Sequence, residues 1–473
     1  MTALAPLVAT LGARVMGNLP AEIAAVTADS RAVAPGTLFV ALRGERVDGH
    51  AFAAEAASRG AVALLVDHAL PVALPQIVVG DTRIACSRLA DGFYGEPSRA
   101  LTIVGITGTN GKTTTSYLVR AICDAAGRPC AVLGTLGGAF GDAAWPLENT
   151  TPLALDLHRI LAEMRDRGAQ AVAMEVSSHA LALRRVDDVR FAVGALTNIT
   201  RDHLDFHPTF EDYVAAKRRL FALAPRAVLN VDDPAGARFA AELARPITYA
   251  LDRPATLRAT NLELHPGGSR FTVGALHVAL PLPGRFNVHN ALAAVGVARA
   301  LGIADDAIAA GLAAGPSVPG RMERIAAGGV EAIVDYAHTP DALANVLRAA
   351  RETTHGRLVA VFGCGGDRDP GKRPEMGRIA AELADRVIVT SDNPRSEDPA
   401  AIARAVAGDT GAQVILDRRA AIRTALAEAQ PGDTVVVAGK GHEPYQLIGT
   451  ARLPFDDRDE VRAALAQRAE RVP

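Results

Sequence analysis

Short apolar, β-branched runs alternate with amphipathic stretches along the chain. That is the pattern of strands and helices alternating around parallel sheets, an α/β fold. In the first hundred residues, 37–42, 61–66 and 77–79 read as strands, and 50–59 and 82–93 as helices. A second series opens with the strand at 101–106. It continues with strands at 171–176, 192–196 and 227–230, and helices at 153–167, from 208 and at 291–301. Thr209 and Asp212 have the spacing of a capping box, and Asp232-Asp233-Pro234 reads as a turn. Alternating short strands between 251 and 282 predict a small antiparallel side sheet. A third series has strands at 332–336, 358–362, 386–390 and 434–438, each running into a polar, Gly- or Pro-bearing loop. In a parallel sheet such loops share one edge and converge on a ligand. Gly/Pro-rich stretches at 92–98 and 315–320 punctuate the series. Three domains are therefore expected, at 1–98, 99–317 and 318–473: an α/β unit, a parallel sheet with a side sheet, and a Rossmann-like unit.

The most informative stretch is 101–115. An apolar strand breaks into Gly108-Thr109-Asn110-Gly111 and resumes as a helix through Lys112, Thr113, Thr114 and Thr115. Strand, glycine loop and helix N-terminus make a phosphate cradle, because backbone N–H groups and the helix dipole both favour an anion. Lys112 is placed to reach the outer phosphates and the Thr113 hydroxyl to sit on Mg²⁺. The first glycine of the general phosphate-loop pattern falls on Ile106 here.

Composition narrows the function classes. Lys plus Arg number 50 and Asp plus Glu 52, for a net charge of −2, which argues against a nucleic-acid binder using a large basic surface. Cys86, Cys123, Cys130 and Cys364 form no Cys-x-x-Cys pair, so neither a zinc site nor a disulfide framework is indicated. No apolar run is long enough to span a bilayer and no basic n-region opens the chain, so a cytoplasmic protein is expected.

Several polar residues sit just past strands. Glu175 ends an apolar strand, where a carboxylate is costly unless paired or on a metal, and Ser177 follows it. His203 lies in the cluster 197–205, and its residue type alone favours neither a metal ligand nor an ordinary loop histidine. Lys217, two turns into a helix, reads on its own as a solvated lysine. Ser30, within Asp29-Ser30-Arg31, reads as a polar turn, and Thr151 as a helix cap with Pro152 in the first turn.

Together these stretches resemble the Mur ligases, the ATP-dependent amino-acid-adding enzymes of peptidoglycan synthesis, over nearly the whole chain. The stretches 107–114, 198–205, 287–290 and 335–340 fit the superfamily. Glu175-Val176-Ser177-Ser178-His179, Gly363-Cys364-Gly365-Gly366-Asp367-Arg368-Asp369 and Gly439-Lys440-Gly441-His442-Glu443 look like the member that adds the third residue. Asp392-Asn393-Pro394-Arg395 looks like its selector for meso-diaminopimelate, whose distal carboxylate suits a guanidinium fork.

The resemblance implies a ligase that joins meso-diaminopimelate to UDP-N-acetylmuramoyl-L-alanyl-D-glutamate through an acyl phosphate, with ATP as co-substrate and Mg²⁺ as cofactor. It implies that the N-terminal domain binds UDP and that the central one is a phosphate-loop ATPase. It assigns Gly108, Thr109, Asn110, Gly111, Lys112, Thr113, Thr114, Asn290, Arg321 and Asp335 to ATP. Ser30, Asn149, Thr150, Thr151, Ser177 and Arg185 go to the UDP-sugar peptide. Arg368, Asp392, Asn393, Pro394, Arg395, Gly439 and Glu443 go to diaminopimelate. It also reverses the reading of Lys217, which becomes a carbamylated lysine binding metal with Thr113, Glu175 and His203. Lys112, Lys217, His203 and Glu175 are then the catalytic set. Relatives often carry Gln where this chain has Leu183. A monomer is expected, with neither nucleic acid nor membrane as partner, and closure of the third domain over the second. The rivals are a superfamily ligase that adds lysine or acts on folate, and a phosphate-loop switch protein.

Overall fold

The computed structural model describes residues 1–44, 47–265, 267–316 and 318–469. The N-terminal sheet has the strand order Arg14–Met16, Gln76–Val78, Ala61–Val66, Thr37–Val40, Ala25–Thr27, parallel except for the first pair. The helix Thr82–Phe93 has its predicted bounds, because the Asp81 carboxylate accepts the Arg83 and Ile84 amides at 2.8 and 3.3 Å. The predicted helix at 50–59 divides into a 3₁₀ turn, Gly49–Phe52, and a helix, Ala53–Ser58. Asp48 accepts the His50 amide at 3.0 Å and tightens that first turn.

The central sheet has nine strands in the order Ala143–Trp145, Gly137–Phe140, Cys130–Gly134, Ala171–Glu175, Thr102–Thr107, Phe191–Leu196, Ala227–Asn230, Ile247–Ala250, Leu257–Arg258. It is parallel from Cys130–Gly134 onward. Glu175 is in register with Ile106, and Leu196 with Thr107. The loops after these three strands therefore open on one edge. The antiparallel side sheet is present as Thr260–His265, Gly268–Val273 and Leu276–Leu280.

Two local readings change. Asp232-Asp233-Pro234 is a helix start rather than a plain turn: Asp233 accepts the Gly236 amide at 2.9 Å and caps Pro234–Glu242. The helix expected at 291–301 begins earlier, as Arg285–Ala300, after Gly284 at φ +89°. Asn287 and Asn290 thus lie on a buried helical turn, which their polarity disguised in the sequence.

The N-terminal unit is seated on the central one. Ala154 and Leu155, from the helix Ala154–Asp166, share a core with Leu4, Leu65 and Leu89. Beside them the buried His158 ring lies 3.3 Å from Asp91.

The C-terminal sheet runs Glu323–Ala327, Val330–Asp335, Thr434–Ala438, Leu358–Phe362, Arg386–Val389, Gln413–Val414. The four predicted strands are adjacent and parallel, so their loops do share an edge. The hairpin Tyr445–Ile448 and Ala451–Pro454 lies against that edge through a bridge from Ile448 to Arg395.

Candidate active site

The glycine loop is shaped by its neighbours. Gly108 has φ +148°, and a Cβ there would lie 1.8 Å from the Thr197 hydroxyl. At Gly111, φ +83°, a Cβ would lie 2.2 Å from Asn290 Oδ1. Only glycine permits that approach. The Thr197 hydroxyl donates to Asn110 O at 2.6 Å, and the Asn110 amide donates to Asn198 Oδ1 at 3.0 Å. Lys112 Nζ folds onto its own loop, donating to Gly108 O at 3.0 Å and Thr109 O at 2.8 Å. Burial lowers its pKa, opposed by Glu175 and Asp202.

Thr113 begins a polar chain. Its hydroxyl donates to Glu175 Oε1 at 2.8 Å and accepts from Arg321 Nη2 at 3.1 Å. Glu175 also accepts the Thr135 amide at 2.9 Å and its hydroxyl at 3.1 Å. Arg321 stacks on the Tyr336 ring, 4.5 Å from its centroid. Asp335 lines the cleft with the phosphate loop. Here its oxygens accept the Met322 and Ala337 amides at 2.8 and 2.7 Å and so fix the segment carrying Arg321. A cleft of about 500 Å³ is lined by 109–114 and by Glu175, His203, Asn290, Arg321 and Asp335.

Lys217 is not the solvated lysine its residue type suggests. It is 1% exposed, and its Nζ donates to Gly108 O at 2.8 Å, behind the loop, and lies 4.5 Å above the Tyr213 ring. Burial, then the Lys112 charge, holds its pKa well below the ordinary lysine value. The helix Phe210–Arg218 carries it, capped as expected by Thr209, which accepts the Asp212 amide at 3.1 Å. His203 has φ +54°, and its pKa falls to about 3 through burial, against the attraction of Asp202. Carboxylate, hydroxyl and imidazole from Glu175, Thr113 and His203 all face the cleft. The Glu175 carboxylate and the Thr113 hydroxyl, 2.8 Å apart, are the hard oxygen donors that suit Mg²⁺, and His203 lines the same cleft.

Most of the residues expected at the sugar-nucleotide peptide gather beside Glu175. Thr151 Oγ1 donates to Glu175 O at 2.9 Å and accepts the Ser177 amide at 3.0 Å. Arg185 Nη1 donates to Thr151 O at 3.1 Å, and the Thr150 hydroxyl lies 3.2 Å from that of Thr135. Asn149 precedes them on the surface. Ser30 stands apart in the N-terminal unit, its hydroxyl donating to Glu55 Oε2 at 3.3 Å. Its neighbour Arg31 pairs with Asp29, Nη2 lying 2.8 Å from Oδ2. Leu183 ends the short helix Ser178–Ala182.

A second cluster forms at the C-terminal sheet edge. Asn393 Nδ2 donates to Glu443 Oε2 at 2.9 Å, and its Oδ1 accepts Lys440 Nζ at 3.0 Å and the Leu447 amide at 3.0 Å. Arg395, at φ +51°, donates from Nη1 to Gly366 O at 2.7 Å, while its backbone pairs with Leu447 and Gly449. Pro394 O accepts the Glu397 amide at 3.0 Å. Gly439 packs on Asp392, whose Oδ2 would meet a Cβ at 2.4 Å. Arg368 Nη1 lies 3.6 Å from Asp205 of the central unit. Tyr336 joins the clusters: it lines the cleft, and its hydroxyl donates to Glu443 Oε1 at 3.4 Å. Lys440 and Tyr336 went unassigned in the sequence reading, although both lie in quoted motifs.

The matches to known proteins run the length of the chain. The Mur ligase family catalytic domain matches residues 22–94, the Mur ligase middle domain 106–298 and the Mur ligase glutamate ligase domain 320–441. The UDP-N-acetylmuramoyl-L-alanyl-D-glutamate–2,6-diaminopimelate ligase of Geobacter metallireducens is 47% identical, covering 95% of this chain and 96% of its own. The ligase of that name from Gloeobacter violaceus is 47% identical, covering 96% of each. A solved structure of a ligase of that name is 37% identical, with a TM-score of 0.67, covering 94% of this chain and 95% of its own. With such identity over nearly its whole length, the chain belongs to the Mur ligase family.

Proposed function

We propose that the protein is an ATP-dependent amide ligase that adds meso-2,6-diaminopimelate to UDP-N-acetylmuramoyl-L-alanyl-D-glutamate. The observation that carries this reading is the link between a phosphate-loop cleft and the C-terminal cluster: Tyr336 lines the cleft and bonds Glu443, which in turn accepts from Asn393 of the Asp392–Arg395 loop. The two relatives above bear the name of that activity. In the first step the free D-glutamyl carboxylate attacks the γ-phosphorus of ATP, and ADP leaves with the electrons of the broken P–O bond. In the second, an amine of diaminopimelate attacks the acyl carbon, inorganic phosphate leaves and the amine loses a proton.

Lys112 and the loop amides hold the phosphates and neutralise developing charge. Thr150, Thr151, Ser177 and Arg185, with Ser30 and Asn149 beyond, hold the UDP-sugar peptide. Arg395 pairs with the distal carboxylate of diaminopimelate, and Glu443, Asn393, Asp392, Gly439 and Arg368 hold the rest. Thr113, Glu175 and His203 would hold Mg²⁺, which would supply positive charge to the phosphates. An ammonium at Lys217 adds no ligand to that set. A neutral amine adds to carbon dioxide and loses a proton, giving an anionic carbamate with oxygen donors, and the depressed pKa of Lys217 supports that state. We also assign residues 1–98, 99–317 and 318–473 as the three domains, and read the enzyme as a cytoplasmic monomer. No described helix is long and apolar enough to cross a membrane.

One assay tests the substrate assignment. Diaminopimelate and lysine compete in a single amide-forming reaction with ATP and the UDP-muramyl dipeptide, and the product is weighed by mass spectrometry. Diaminopimelate product is expected. Preference for lysine overturns the assignment, and ATP hydrolysis indifferent to the dipeptide points to a switch protein instead.

A further inference from the structure

Arg418 and Asp457 form an ion pair in which neither side chain has exposed surface. The pair is bidentate: Nε donates to Oδ1 at 2.7 Å and Nη2 to Oδ2 at 2.6 Å. Burying two charges is expensive, and apolar side chains of similar volume often stabilise a core equally well. The use of this pair lies in the remaining donors of the fork. Nη2 also donates to Ala438 O at 3.0 Å, and Nη1 reaches Ser391 O at 3.5 Å. Ala438 immediately precedes Gly439-Lys440, and Ser391 immediately precedes Asp392-Asn393. One guanidinium therefore holds the roots of both loops of the amino-acid cluster, and Asp457 fixes its orientation. Gln446 reinforces one root, donating to Asp392 O at 3.0 Å. Across the loops, the 2.9 Å contact from Asn393 to Glu443 depends on their spacing.

We infer that Arg418, oriented by Asp457, is a positioning residue that sets the spacing of the Asp392–Arg395 and Gly439–Glu443 loops, and with it diaminopimelate affinity and selectivity. This rests on the proposed function. A lysine at 418 keeps the charge but presents one nitrogen where the fork serves both carbonyls.

The test uses the full-length enzyme as R418K and as R418M/D457L, the latter replacing the pair with apolar side chains. Melting temperature, the KM for each of the three substrates, and the diaminopimelate-to-lysine rate ratio are measured. Expected are near-native melting and a KM for ATP within about twofold of wild type. The KM for diaminopimelate should rise about tenfold or more in R418M/D457L and less in R418K, with a reduced rate ratio. An unchanged KM for diaminopimelate in folded variants overturns the inference. So does an equal rise in all three KM values, or loss of folding in both variants, since either marks a purely structural role. A wild-type enzyme that ignores diaminopimelate would instead fail the underlying function.

Discussion

A lysine whose ammonium is almost wholly buried against a single carbonyl and a phenol ring is costly as a cation. At Lys217 that cost favours the neutral amine. Replacing it with alanine should cut amide formation about a thousandfold or more while leaving ATP affinity nearly intact, and short carboxylic acids should restore part of the rate. Full activity of the plain mutant removes the carbamate assignment. Arg395 is tested by R395K, which keeps charge but loses the planar fork. The kcat/KM for diaminopimelate should fall about 10- to 100-fold, or ~1.4–2.8 kcal/mol, with lysine little affected. Residues of the phosphate loop were legible in the sequence because glycines, Lys112 and Thr113 are consecutive and their chemistry is local. Lys217 was not, since its burial comes from packing behind a loop 109 residues away. Only the family resemblance placed it.

At the scale of elements, strands such as Thr102–Thr107 and Val330–Asp335 were legible because they are continuous apolar runs, whereas the buried Cys130–Gly134, which opens on a cysteine and closes on a glycine, was missed. Edge strands such as Glu323–Ala327 and Gln413–Val414 were missed, being short, partly exposed and mixed in character. The helix Phe210–Arg218 was found through its capping box, and T209A should destabilise it by ~1 kcal/mol, read as a lower melting temperature. Acid stability has a local source at the turn before Thr434–Ala438. Asp433 accepts the Arg357 amide at 2.7 Å, the Gln430 amide at 2.9 Å and the Arg357 guanidinium at 2.9 Å. Burial opposes these bonds, yet they hold its pKa below the ordinary 3.8. A depressed carboxyl contributes stability above its unfolded-state pKa and loses it as pH falls through the folded value. D433N should therefore melt lower than wild type at neutral pH, and the gap should shrink as pH falls below the ordinary carboxyl value of 3.8.

Across the whole molecule, contacts from the third sheet reach the second. Asn110 Nδ2 donates to Asp341 Oδ2 at 2.9 Å, and Arg201 forks onto Asp369 at 3.0 and 3.2 Å. Asn110 belongs to the phosphate loop, so nucleotide there and closure of the third domain act on the same residue. Solution scattering should show contraction when ATP and dipeptide are added, and identical profiles would count against closure. The rule that loops after parallel strands converge made the site's location legible. Which loops meet across domains was not, because no local pattern encodes it.

The helix Ala154–Asp166 leaves the N-terminal unit with a borrowed wall. Anyone trimming the gene after residue 98 to isolate that unit would remove Ala154 and Leu155 from the core they share with Leu4, Leu65 and Leu89. Such a fragment should be sticky and poorly soluble. A cut after Arg167 would keep that wall but break the central sheet, where Ala171–Glu175 pairs with both Cys130–Gly134 and Thr102–Thr107.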